Sequence, residues 1–223
     1  MRTGPTNAAG AFVDVLCFAA GTQIKTPKGT RQIDDLRAGD AVETFDEGPQ
    51  TLRWINSTWV SAARLHAEPR LHPILIRADA LGPGFPNADL TVSPQHRVLV
   101  SSAIAQRMFG TRDVLIPANK LLPLPGVSLH PTDAKGVRYF HMLFDAHQIV
   151  WSNGTPTESL FTGPEALKAV PVEARHELLT LFPDLYDPTF APPAARLIPD
   201  RGKLMRKLVD RHRANNKPIY STA

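Results

Sequence analysis

Between Thr22 and Trp151 the chain is a succession of short β-branched and apolar runs, each closed within a few residues by Gly, Pro, Asn or Asp. Strands that short cannot bury a face alone and must pair with their neighbours as hairpins, which constrains the fold more than any other feature. Segments 22–26, 31–33, 41–45, 52–62, 73–77, 89–92, 97–101, 112–117, 137–144 and 147–151 are expected strands. Only 102–109 and 118–121 carry weak helical patterns, and no helix alternates with the strands. A doubly wound fold is therefore excluded, and an all-β domain of twisted hairpins is expected. Segment 78–88, with Gly82-Pro83-Gly84 and Pro86-Asn87, reads as a loop.

The character of the chain changes near Gly163-Pro164. Beyond it, 171–182 reads as a helix with proline in its first turn, 187–199 as a proline-rich linker, and 201–215 as a basic helix with Leu204, Met205, Leu208 and Val209 at helical spacing. The expected organisation is a leader 1–16, a β domain 17–163 and a helical, proline-rich basic tail 164–223. The net charge of +4 belongs to that tail. Between Asp200 and Lys217 lie seven basic residues against two acids, which leaves the rest of the chain about one unit negative. Two readings of the tail helix stand: a solvated helix lying on its own domain, or a contact for an anionic partner such as nucleic acid, a membrane surface or an acidic protein.

Other classes are excluded more simply. Cys17 is the single cysteine, so an intrachain disulfide and a cysteine-rich zinc site are both ruled out. No apolar run approaches the ~18 residues of a membrane span. The first sixteen residues hold one Arg and a short apolar patch, Ala11-Phe12-Val13, broken by Asp14, a poor secretory signal. A soluble protein is expected, cytoplasmic or exported without a recognisable N-terminal signal. No phosphate loop, dinucleotide fingerprint or His-Glu-x-x-His helix occurs.

The residues with chemistry fall in three places. Cys17 precedes a tight turn at Gly21 and a hairpin turned by Thr26-Pro27-Lys28-Gly29, so its thiol sits at the start of a rigid element. A lone cysteine ordinarily packs as a small hydrophobe, and its company decides otherwise. Ser93-Pro94-Gln95-His96 ends a strand in a turn whose hydroxyl and imidazole can bond one peptide group from two sides. In the third, His141, Asp145 and His147 are two or four apart and would share one face of a continuous strand; this is either a metal-ligating set or an Asp145–His147 pair, and a turn at Asp145-Ala146 would break the alignment. Asn153-Gly154, with Glu158-Ser159 beyond it, is first a turn signal.

Taken together these blocks resemble the Hint superfamily, the autoprocessing domain shared by hedgehog C-terminal regions and inteins, and most of all its bacterial branch of standalone Hint domains. The resemblance is carried by Cys17-Phe18-Ala19-Ala20-Gly21-Thr22 with Gly39-Asp40-Ala41-Val42, by 90–98 with Ser93 where threonine is usual and His96 as the family histidine, and by His147 with Asn153-Gly154 behind it. It implies a horseshoe-shaped, pseudo-two-fold all-β fold in which Cys17, Ser93, His96 and His147 converge. It also implies a reaction in which the Cys17 sulfur attacks the Leu16 carbonyl to form a thioester. His96 would protonate the leaving nitrogen, Ser93 would hold the peptide, and His147 with Asp145 would assist the thiol.

The family's terminal His-Asn is absent, because the corresponding stretch is Thr157-Glu158-Ser159-Leu160. The resemblance therefore implies cleavage or acyl transfer without splicing, free of cofactor and metal. The chain's own N-terminal segment would be the substrate, and water or another nucleophile the acceptor. The competing expectations are an inactive Hint-fold binding module, a Cys-His hydrolase acting in trans through Cys17, His147 and Asp145, and a metal site.

Overall fold

The computed structural model describes residues 16–130, 136–161, 172–187 and 192–220. The leader before Leu16 and the expected boundary at Gly163-Pro164 lie outside the described residues. Fourteen strands form two antiparallel sheets. In spatial order the first comprises β11 (Val127–Leu129), β7 (Ile74–Ile76), β8 (Leu90–Val92), β1 (Phe18–Ala19), β12 (Gly136–Leu143) and β6 (Trp54–Ser61). The second runs β10 (Asp113–Pro117), β9 (Arg97–Ser101), β14 (Thr155–Glu158), β13 (Ile149–Ser152), β2 (Gln23–Thr26) and β3 (Gly29–Gln32). A hairpin of β4 (Ala41–Thr44) and β5 (Gly48–Thr51) joins it through β13. The all-β fold expected from the strand spacing is the one observed.

Local chemistry sets the corners. At Asn153-Gly154 both residues take positive φ, 43° and 74°, as a two-residue primed hairpin turn requires. The same asparagine ties the sheets: its Oδ1 accepts the Gln23 N–H at 2.7 Å and its Nδ2 donates to the Asp89 carbonyl at 2.7 Å. Two helices interrupt the strands. α1 (Ala62–Ala67) is capped by Ser61, and α2 (Ala103–Phe109) starts at the Ser102 cap and stops at Gly110, whose φ is 78°. The run 52–62 is thus strand only to Ser61. A large apolar core fills the space between the sheets, including Phe18, Ile24, Val42, Ile76, Val98, Ile116 and Val150.

Among the described residues two further helices follow, α3 (Val172–Leu181) and α4 (Gly202–Ala214). The C-terminal residues are not a free appendage. Leu197 bridges Val114 at the edge of the second sheet, and Arg196 pairs with both Asp46 and Asp113. α4 turns Met205, Leu208, Val209 and His212 inward, and its cations face solvent. The His212 ring lies 3.0 Å from Ser102 Oγ and 3.1 Å from the Lys217 carbonyl. The packing shows the basic helix docked on its own domain with its cations exposed. Among the described residues no helix is long and apolar enough to cross a membrane.

Candidate active site

Cys17 stands just before β1, between the end of β8 and the middle of β12. Ser93 grips it from one side. Its Oγ accepts the Cys17 N–H at 2.9 Å, its own N–H donates to the Cys17 carbonyl at 2.9 Å, and its hydroxyl also bonds the sulfur. On the other side the antiparallel register Phe18↔Phe140 sets Cys17 opposite His141. The His141 ring nitrogens lie 3.5 and 3.6 Å from Cys17 Sγ. Hence the amide nitrogen and the sulfur of one residue are each held by a polar side chain.

The electrostatics follow from burial. Cys17 is 1% exposed, and loss of water pushes its thiol pKa well up, only partly offset by the Ser93 hydroxyl. The sulfur is therefore a neutral thiol at rest and needs a base. Burial likewise pushes His141 down to about 4, against the Leu16 carbonyl, which favours the protonated ring. At neutral pH the ring is an uncharged imidazole with a nitrogen able to accept the thiol proton. A cavity with about 20 Å³ of room for a water's centre lies between Cys17, Thr58, Tyr139 and His141, enough for one water.

His96 closes the turn from Ser93, its N–H donating to the Ser93 carbonyl at 3.1 Å. Its ring packs edge-on against Phe18 at 4.3 Å, and both ring nitrogens are buried without a hydrogen-bond partner among the described residues. Burial lowers its pKa to about 4, opposed by the negative charge of Glu158. Glu158 itself is fully buried. Burial alone would raise its carboxyl, but His147 and Arg97 outweigh it and hold the group below the usual carboxylate range. Its oxygens accept the Arg97 main-chain N–H and guanidinium, each at 2.8 Å, and approach His147 Nε2 at 3.4 Å. His147 Nδ1 accepts the Ala195 N–H at 3.1 Å, which in the neutral ring leaves the proton on Nε2, facing Glu158.

The expected residues thus divide. Leu16, Cys17 and Ser93 meet at one peptide, with His96 packed on the next residue. His147 lies in the neighbouring Glu158–Arg97 group, and the imidazole beside the sulfur is His141. Asp145 is a correction: the chain bends at Asp145-Ala146, turning the carboxylate out to bind Arg53 at 2.8 Å, and Glu158 is the acid facing His147. That bend also disperses the face of His141, Asp145 and His147, and no group of three metal-ligating side chains occurs among the described residues. Sequence reading missed that His141 lies beside the Cys17 sulfur and that Glu158 faces His147. Only strand register could have found them, since Ile149↔Glu158 across β13 and β14 brings the acid back toward His147.

The sequence matches the family model of the Hint domain over residues 16–164. No curated protein matches the chain. Among solved structures it is similar to a bacterial intein-like domain from Clostridium thermocellum, with 16% identity, a TM-score of 0.41, and coverage of 64% of this chain and 97% of that one. It is also similar to a DnaB intein from Synechocystis sp. PCC 6803, with 11% identity, a TM-score of 0.40, and coverage of 64% and 97%. The family match spans well over half of the 223 residues and begins at the residue before the buried cysteine, and the chain belongs to the Hint-domain family.

Proposed function

We propose that the domain cleaves its own chain at Leu16-Cys17 through a thioester on Cys17. One observation carries this reading: a single residue has its amide N–H on Ser93 Oγ at 2.9 Å and its sulfur 3.5 Å from His141. The thiol proton passes to His141 as sulfur attacks the Leu16 carbonyl carbon, closing a five-membered ring. The carbon–nitrogen bond then breaks, and the proton ends on the Cys17 nitrogen. One S–H and one amide become one thioester and one amine, with no external reagent. Sulfur and carbonyl belong to one held segment, so the attack is unimolecular, a situation worth effective molarities on the order of 10⁵–10⁸ M. Ser93 Oγ holds the departing nitrogen, and the buried His96, packed on the next residue Phe18, is the candidate to support its release.

A water in the cavity beside the sulfur would then hydrolyse the thioester, freeing the upstream segment as an acid and restoring the thiol. Splicing is not expected, because the stretch Thr157-Glu158-Ser159-Leu160 holds no cyclising asparagine, and Ser159 is already engaged. Its main chain and hydroxyl are engaged by Gln148 at 2.8 and 2.9 Å.

Mass spectrometry of the purified chain with and without hydroxylamine tests the reading. The expected result is release of residues 1–16, accelerated by hydroxylamine and absent from Cys17→Ala. An unchanged mass over long incubation, equal in both chains, overturns it.

A further inference from the structure

The residue that would donate the acyl group packs against an apolar cluster built partly from chain outside the family match. Leu16 packs against a buried apolar cluster of Trp54, Leu143, Leu160, Leu178 and Leu185, joined at its edge by Leu179 and Phe182. Trp54, Leu143 and Leu160 come from the β domain, with Trp54 and Leu143 paired across β6 and β12. The rest come from α3 and the turn after it, beyond residue 164 where the family match ends. α3 is fixed to the sheet by a polar contact as well, the Trp54 indole N–H donating to Glu177 Oε2 at 3.0 Å.

We propose that α3 and its following turn form a subsite for the side chain preceding the scissile bond, making processing selective for an upstream segment that ends in a bulky aliphatic residue. This deepens the self-cleavage reading and rests on it. The physical basis is a lining of aliphatic and aromatic side chains whose one polar group, the Trp54 indole N–H, is already spent on Glu177, so a charged side chain seated there loses its water with little compensation. A glycine would leave the cluster short of a filler and the peptide short of an anchor. The C-terminal extension is then part of the machinery, selecting the acyl donor while Ser93 and His141 act on the bond.

The experiment has two arms. In the chain with Cys17, hydroxylamine-driven cleavage of Leu16→Met should stay within about threefold of the parent, while Leu16→Gly and Leu16→Asp slow by about 10–200-fold. Leu178→Ala, which enlarges the subsite, should raise the rate of Leu16→Phe relative to Leu16 by about tenfold. Equal rates for Met, Gly and Asp, or a Phe-to-Leu ratio indifferent to Leu178→Ala, overturn the proposal. In the second arm, thermal unfolding is followed in the Cys17→Ala background, where no cleavage is needed. Leu16→Asp should melt several degrees below Leu16→Met, and the difference should shrink when Trp54→Phe releases α3. If the parent chain does not cleave, the self-cleavage reading falls; equal melting of the Met and Asp chains removes the subsite itself.

Discussion

Two buried imidazoles, His141 beside Cys17 and His96 packed on Phe18, make the stability of this domain steeply dependent on pH in a window where most proteins are indifferent. His96 and His141 are both pushed down to about 4 by burial, against an ordinary value near 6.5. As pH falls below 6.5 the unfolded chain takes up a proton at each position, and the folded chain does not until about 4. Folding then releases protons, so stability is greatest above 6.5 and is lost progressively down to 4, at about 1.36 kcal/mol per pH unit for each ring. Between pH 7 and 5 the loss is about 2 kcal/mol per histidine, roughly 4 in all, out of a total that is typically about 5–15 kcal/mol. His212, also lowered by burial, adds in the same direction. Glu158, held below the usual carboxylate range, contributes stability above its unfolded value and loses it only at lower pH, so it does not mask the effect. Urea unfolding of the Cys17→Ala chain at pH 7, 6 and 5 measures this without interference from processing. In His141→Gln, which cannot titrate there, the fall should be about half as large. Stability unchanged between pH 7 and 5, or the same slope in His141→Gln, would refute the placement of neutral, desolvated rings at this site.

Four more outcomes are expected. His141→Gln should slow hydroxylamine-driven cleavage by roughly 10²–10⁴-fold, the usual worth of a positioned acid or base. Asp145→Asn, in an exposed pair with Arg53, should leave the rate within about twofold, and a large loss would restore Asp145 to the chemistry. Glu158→Gln keeps the shape but strands Arg97, an unpaired partner worth about 3–5 kcal/mol of lost stability, which calorimetry would read as a melting temperature lower by roughly 6–20 °C. Gly82→Ala would bring a Cβ within 2.4 Å of the Tyr220 carbonyl at a φ of 151°, so denaturant unfolding should show a loss of about 1–3 kcal/mol together with loss of protection in 218–220.

Which features the sequence discloses depends on how local their physics is. The Asn153-Gly154 turn, the Ser102 cap and the apolar runs of β9 and β10 are decided by residues within a few positions, and they are legible there. β14 is not, because Thr155-Pro156-Thr157-Glu158 reads as polar chain. It is nonetheless buried along its length, with Thr157 Oγ1 and Ser152 Oγ bonded at 2.8 Å. β1 is only two residues long, too short for any periodicity. At the site, Ser93 was legible because its turn follows directly from the strand. The assignment of Asp145 to His147 failed because nearness in sequence stood in for nearness in space. A bend turns Asp145 out, and a strand pairing brings in Glu158, eleven residues beyond His147.

The same burial that sets the pH dependence also favours the proposed action on this chain over action on another. A cysteine that attacks external substrates works as a thiolate, with a lowered pKa in a partly exposed, electropositive setting. Cys17 is the reverse, 1% exposed and with its thiol pushed up by desolvation. Such a sulfur is closed to a second polypeptide and slow toward any electrophile that must diffuse to it. The one carbonyl it does not have to wait for is that of Leu16, joined to it through its own nitrogen. A nucleophile with a built-in electrophile does not need to be ionised in advance. It needs a neutral base within reach at the moment of attack, and His141 at 3.5 Å, uncharged above about pH 4, meets that requirement.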